Sequence, residues 1–234
     1  MNLFFKKSTI NILVFLITIS AFSQIRQDNA GIDQIPTFGA IGNATTVNNL
    51  GSQNTDLIKA DIYFYPTYNN TAVIETTTNR KYTISNINLN VYTNSFDSKM
   101  PGDSVYVFDN KSIKSIKINN KRYVAYLDSE SDKYAMFQVI YESDKFSLLR
   151  KDKIISKEIR DPLNINPPKM SYVKVVNYYV KKEDGIENIS LKKKSILEVL
   201  KDKKSKVSNY AKKYKLSYKN ENDLQKLFKY YGSL

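Results

Sequence analysis

Between residues 57 and 159 short runs rich in β-branched and aromatic residues are separated by polar, asparagine-bearing turns every 8 to 12 residues. Ile87, Leu89 and Val91 alternate with Asn88, Asn90 and Tyr92, the period-2 pattern of a half-buried strand. Further strands are expected at 57–65, 71–76, 81–84, 104–108, 112–118, 122–127, 134–141, 145–150 and 153–159. Asn119-Asn120 suits the left-handed conformations of a two-residue hairpin, and Asn69-Asn70 and Thr78-Asn79 also favour turns. Many short strands at this spacing predict an antiparallel meander, a sandwich or an open barrel.

The period changes toward the C-terminus. Val207, Tyr210, Ala211 and Tyr214 fall at i, i+3, i+4 and i+7, and Leu224, Leu227, Phe228 and Tyr231 repeat that spacing. Two amphipathic helices are therefore expected, preceded by a shorter one at 193–200. Asp202 and Asn220 are the expected N-caps, and Gly232 the C-terminal stop. The fold class is α+β, mainly antiparallel β with a C-terminal helical segment.

The first residues carry Lys6 and Lys7, an apolar stretch from Ile10 to Ile19 broken by Asn11 and Thr18, and then Ala21 and Ser23. A basic start, a short apolar run and small residues at −3 and −1 predict a signal peptide cleaved after Ser23. A spanning helix needs about 20 apolar residues, so a membrane-spanning mature chain is not expected. The expected organisation is a signal peptide at 1–23, a flexible leader at 24–55, an antiparallel β domain at 56–160, a Pro-rich linker at 161–170 and a hairpin with basic helices at 171–234. Pro162, Pro167 and Pro168 mark the linker, and Asp184-Gly185 the turn of the hairpin.

The chain has no cysteine and no histidine. It can build neither a disulfide, nor a Ser-His-Asp or Cys-His site, nor a transition-metal centre on imidazole or thiolate. The remaining options are weak. Sixteen acids between residues 24 and 180 show no spacing that selects a glycosidase pair. Ser171 and Lys174, and Ser190 and Lys193, repeat the Ser-x-x-Lys spacing, but at a strand and a strand end rather than on a helix. Asp128, Glu130 and Asp132 open like a calcium loop, yet Lys133 and Val139 occupy the places of its glycine and final glutamate. Tyr63, Tyr65 and Tyr68, with Tyr178 and Tyr179, are candidates for an aromatic platform, although tyrosine is also an ordinary strand residue. No catalytic, cofactor or metal residue is assigned, and no cofactor is expected.

Formal charge is +13, or +11 once Lys6 and Lys7 leave with the signal. Residues 24–180 hold 19 basic against 16 acidic side chains, whereas residues 181–234 hold 15 lysines against 7 acids, a balance of +8. With the apolar stripe of the penultimate helix turned inward, Lys212 points away and Lys206 and Lys213 line one flank, and these three are the candidates for an anionic partner. An exported protein does not normally meet DNA, and no base-reading motif is present. The expected partner is an anionic envelope glycan, a lipid headgroup or another envelope protein, not nucleic acid.

The run Lys81-Tyr82-Thr83-Ile84-Ser85-Asn86-Ile87-Asn88-Leu89-Asn90, the later Asp103-Ser104-Val105-Tyr106-Val107-Phe108, and the ending from Leu216-Ser217-Tyr218 to Tyr231-Gly232-Ser233-Leu234 resemble an uncharacterised family of exported, β-rich proteins of Bacteroidetes, flavobacteria especially, with a basic helical C-terminus. The resemblance covers roughly residues 57–234. It implies a diderm envelope and a periplasmic, outer-membrane-associated or secreted address, and no functional residues. The expected role is a non-enzymatic, envelope-associated structural or interaction protein. An extracytoplasmic glycan- or peptide-binding module is the alternative, and a carboxylate-based hydrolase the third.

Overall fold

The structure is a computed structural model in which residues 32–33, 41–46, 62–100, 104–160, 165 and 167–234 are described. The expected signal peptide, most of the leader and part of the Pro-rich segment lie outside the described residues. The strands are β1 (Ile32–Asp33), β2 (Gly42–Thr46), β3 (Thr71–Thr76), β4 (Lys81–Ser85), β5 (Ile87–Asn90), β6 (Ser95–Lys99), β7 (Ser104–Phe108), β8 (Ile113–Ile118), β9 (Lys121–Asp128), β10 (Lys133–Glu142), β11 (Ser147–Ile159), β12 (Lys169–Lys182) and β13 (Gly185–Ile189). The helices α1 (Lys193–Val199), α2 (Lys204–Lys213) and α3 (Glu221–Gly232) follow.

Asparagines make the corners. Asn79, Asn94, Asn119 and Asn120 sit at positive φ between paired strands, a conformation their short polar side chains tolerate. Asn86, at φ 53, does something the alternating pattern did not foretell: it ends β4 and turns the chain into a second sheet. One sheet has nine strands in the order β1-β4-β3-β8-β9-β10-β11-β12-β13, and the other has four in the order β2-β7-β6-β5. Every pair is antiparallel except β1 with β4. The fold is therefore α+β, mainly antiparallel, with a C-terminal helical segment.

Several expectations shift. Residues 62–65 form no strand; Tyr63 makes a single bridge to Asn90. β6, with its polar sequence Ser-Phe-Asp-Ser-Lys, was not foreseen, nor was β2, which lies within the expected leader and pairs along β7. β5 is buried on both faces, because Asn88 bonds the backbone of the neighbouring loop. Its Oδ1 accepts from the Tyr65 N–H (3.0 Å), and its Nδ2 donates to the carbonyls of Tyr65 (2.9 Å) and Thr67 (3.1 Å). β11 and β12 pair from Ser147↔Lys181 to Ile159↔Lys169, so one sheet continues across the segment expected as a linker.

Two cores share one face of the large sheet. Ile74, Ile116, Ile118 and Tyr123 meet Ile87, Leu89, Phe96 and Phe108 of the small sheet. Farther along, Ile140, Leu148 and Val180 meet Leu197, Val207, Leu224, Leu227 and Phe228 of the helices. The helical segment is thus docked, as its stripes required, since short isolated helices are marginal in water. Tyr214 is the exception to its stripe, at 53% exposure, while Tyr210 stacks on Tyr230 with centroids 3.9 Å apart. Gly232 ends α3 against the Tyr141 hydroxyl, which a Cβ at that position would have to displace. Among the described residues no helix is long and apolar enough to cross a membrane.

Candidate functional site

Val207 and Ala211 face the core, which turns the polar side of α2 to solvent. Lys206, Lys212 and Lys213 are all exposed, but they do not form one cluster. Lys206 and Lys212 are about 9 Å apart along the helix axis, and Lys213 lies over the Tyr214 ring at 5.3 Å. Lys206 instead joins Lys201, Lys203 and Lys204 around an open cleft of 440 Å³ at the start of α2. The run Lys201-Asp202-Lys203-Lys204-Ser205-Lys206 carried this signal in the sequence, but helical periodicity favours residues on one face and overlooked a cluster wrapped around a helix start.

Local electrostatics at this helix start are unusual. No side chain caps α2, and its first turn contains no acid. The partial positive charge of the helix N-terminus lies among lysines, where acids are normally stabilising. Asp202, the expected N-cap, lines the same cleft but does not cap α2: its Oδ1 accepts from the Tyr231 hydroxyl at 2.8 Å. Burial, followed by that carboxylate, pushes the Tyr231 phenol up to about 12. By contrast Asn220 caps α3 as expected, accepting from the Asp223 N–H at 3.1 Å.

A polar seam between the two cores fixes the cap. Arg150 grips Asp152 with two bonds (2.7 and 2.9 Å) and reaches Glu221 at the start of α3 (3.1 Å). Tyr178 donates to the same Glu221 oxygen at 2.9 Å, and burial with this acceptor raises its phenol to about 12. Burial opposes the charge on Arg150, but Asp152 and then Glu221 outweigh it and hold the guanidinium protonated beyond its ordinary range. Asp152 and Glu221 are therefore both paired with one cation. They are not a free acid and base.

The tyrosines expected to form a platform are dispersed. Tyr65 is buried with its hydroxyl 3.3 Å from that of Tyr123, Tyr178 belongs to the seam, and Tyr179 is buried on the opposite sheet face. Only Tyr63 and Tyr68 meet, edge to face with centroids 5.0 Å apart. They lie over Asp97, fully buried in β6, and Tyr68 donates to its Oδ1 at 2.5 Å. Burial pushes Asp97 up to about 7 against the lowering effect of the Tyr68 bond. Asn90 and Tyr63 lie beside the same carboxylate and also lower its value, without offsetting the burial. No motif marked this acid, because its burial comes from the unforeseen strand.

The acidic turn after β9 is internally neutralised. Asp128 accepts from Lys151 (2.8 Å) and Ser131 (2.9 Å), and Asp132 takes a positive φ to close the hairpin. Among the described residues no group of three or more acids is placed to hold a metal ion. Ser171 and Lys174 lie on opposite faces of β12, three residues apart in a strand, and Ser190 precedes α1 while Lys193 begins it. No family model matches the chain, and no curated protein or solved structure matches it.

Proposed function

We propose that this is a non-enzymatic interaction protein of the bacterial envelope whose helical cap engages an anionic glycan or lipid headgroup. The supporting observation is the convergence of Lys201, Lys203, Lys204 and Lys206 on an uncapped helix start, while Asp202 is occupied by Tyr231. Cations at the positive end of a helix cost stability that a bound anion would restore. Lys212 and Lys213 extend the same field along α2. The envelope address rests on the signal peptide expected at 1–23 and on the family resemblance.

Co-sedimentation of the mature chain with phosphatidylglycerol vesicles tests this reading. Binding should weaken steeply as salt rises from about 0.01 to 0.15 M, where the screening length shortens from about 30 to about 8 Å. Lys201→Glu/Lys204→Glu/Lys206→Glu should abolish binding, and Lys212→Glu/Lys213→Glu should weaken it. Glutamates in the first turn favour the helix, so the first variant should melt no lower than wild type. Equal sedimentation of wild type and the first variant would refute the proposal.

A binding module for peptides is favoured by one other feature, a cleft of 550 Å³ at the sheet end beneath α1 and α3. Phe146, Leu200 and Tyr231 form its apolar lining, and Lys145, Lys182 and Asp184 supply charges of both signs. Loss of peptide-array binding in Phe146→Ser, with anion binding retained, would separate this reading from the first.

A further inference from the structure

The sheet-end cleft and the lysine cluster at the start of α2 adjoin. Tyr231 lines the first and donates to Asp202, which lines the second. Leu200 and Lys201, neighbours in the chain, belong one to each. Lys203 stands at the junction, its Nζ 5.4 Å from the centre of the Tyr231 ring, so an anion held there sits at the mouth of the apolar cleft. The charges give the cleft a direction. On its sheet side Lys145 and Lys182 are balanced by Glu183 and Asp184, whereas residues 201–206 carry four lysines and one acid. Among the described residues none of those four lysines is in an ion pair. A negative group is therefore drawn to the α2 end, and whatever is attached to it lies over the floor.

The polar atoms of that floor are already engaged. The Phe146 carbonyl accepts from both the N–H (2.9 Å) and the hydroxyl (3.0 Å) of Ser143. The Leu200 N–H donates to Ile196 (3.2 Å), its carbonyl accepts from the Lys203 N–H (3.1 Å), and the Tyr231 hydroxyl is held by Asp202. A peptide backbone laid here would bury amides without partners, which is costly, whereas a methylene chain has nothing to pair. We propose that the two clefts form one site for an anionic lipid, with the phosphate headgroup on the lysines and an acyl chain along Phe146, Val199, Leu200 and Tyr231. The volume of 550 Å³ lies within the range of small-molecule sites, about 300–1,000 Å³. This inference rests on the anionic-partner reading and narrows its ligand to a lipid whose chain the protein also holds.

Lysophosphatidylglycerols of increasing chain length, kept below their micelle concentrations, test this by calorimetric titration into protein comprising residues 24–234 at low salt, beside glycerol phosphate as the chainless headgroup. Affinity should rise about two- to fourfold for each methylene added, the upper figure corresponding to full burial. Val199→Gln, at a half-buried position of the floor, should flatten that dependence. If this variant misfolds, wild-type amide shifts decide: the longest ligand should move Phe146, Val199 and Leu200, and glycerol phosphate should not. Equal affinity for glycerol phosphate and the longest ligand would overturn the inference and leave the anionic-partner reading standing. Binding of neither would overturn both. Undiminished binding of the longest ligand by Lys201→Glu/Lys204→Glu/Lys206→Glu would overturn the placement of the headgroup. Shifts at Phe146 and Val199 caused by a peptide and not by the lipid would overturn the inference in favour of the peptide reading.

Discussion

Replacing Asp97 with asparagine should remove a pH dependence of stability that wild type carries between about pH 4 and pH 7. Asp97 is 0% exposed, and burial lifts its carboxyl from 3.8 to about 7. In that window the folded protein holds the proton and the unfolded chain does not. Folding therefore takes up a proton, and stability falls as pH rises through the window. The contribution is full below the unfolded value and gone above the folded one. About three pH units at 1.36 kcal/mol each give ~4 kcal/mol, a large part of the 5–15 kcal/mol typical of a domain.

Asparagine keeps an oxygen for the Tyr68 hydroxyl and stays neutral, so it copies the protonated acid. Urea unfolding at pH 4.5, 6 and 8 is the assay. Wild type should lose several kcal/mol across the series, and the gap between Asp97→Asn and wild type should widen by a similar amount. Glu75, held low by its bond from Lys114, and Asp128, held low by Lys151 and Ser131 against its burial, act with the opposite sign. Their contributions are lost as pH falls below about 4, outside the window. Parallel pH profiles for wild type and Asp97→Asn would refute the assignment. Tyr68→Phe, which removes the bond that lowers the Asp97 value, should move the wild-type transition to higher pH.

Two further outcomes follow from packing. Phe228→Ala empties a fully buried site between α3 and the sheet and should cost about 3–5 kcal/mol in denaturant unfolding; a loss below about 1 kcal/mol would mean that the cap is not docked. Arg150→Met strands Asp152 and Glu221 and should cost about 3 kcal/mol, with part recovered when Asp152→Asn and Glu221→Gln are added. Failure of that recovery would show that Arg150 acts through packing rather than charge.

What could be read from the chain was local. Asn119 and Asn120 announced their hairpin because a two-residue turn requires positive φ at both positions. Leu224, Leu227 and Phe228 announced a buried stripe because helical spacing leaves them one face. What could not be read depended on distant partners. Asn88 and Asn90 looked like the wet side of β5, yet the loop at 62–68 covers them. Ser95–Lys99 looked too polar for a strand, and so Asp97 escaped notice. Pro162, Pro167 and Pro168 suggested a boundary, whereas prolines are equally at home in the connection between two long strands. Lys206 was legible as exposed, but its grouping with Lys201, Lys203 and Lys204 needed the 3-10 turn at Lys201–Lys203 that precedes α2. Asp202 was assigned as a cap without sight of Tyr231, 29 residues away.

The proposed role of the cap is tested most directly by titrating ¹⁵N-labelled protein comprising residues 24–234 with a soluble anionic headgroup, glycerol phosphate, at low salt. The account predicts amide shifts concentrated at residues 201–206, largest at Ser205 and Lys206 in the first turn of α2, and lost in Lys201→Glu/Lys204→Glu/Lys206→Glu. Shifts scattered evenly over the surface lysines, or centred on the sheet, would contradict it.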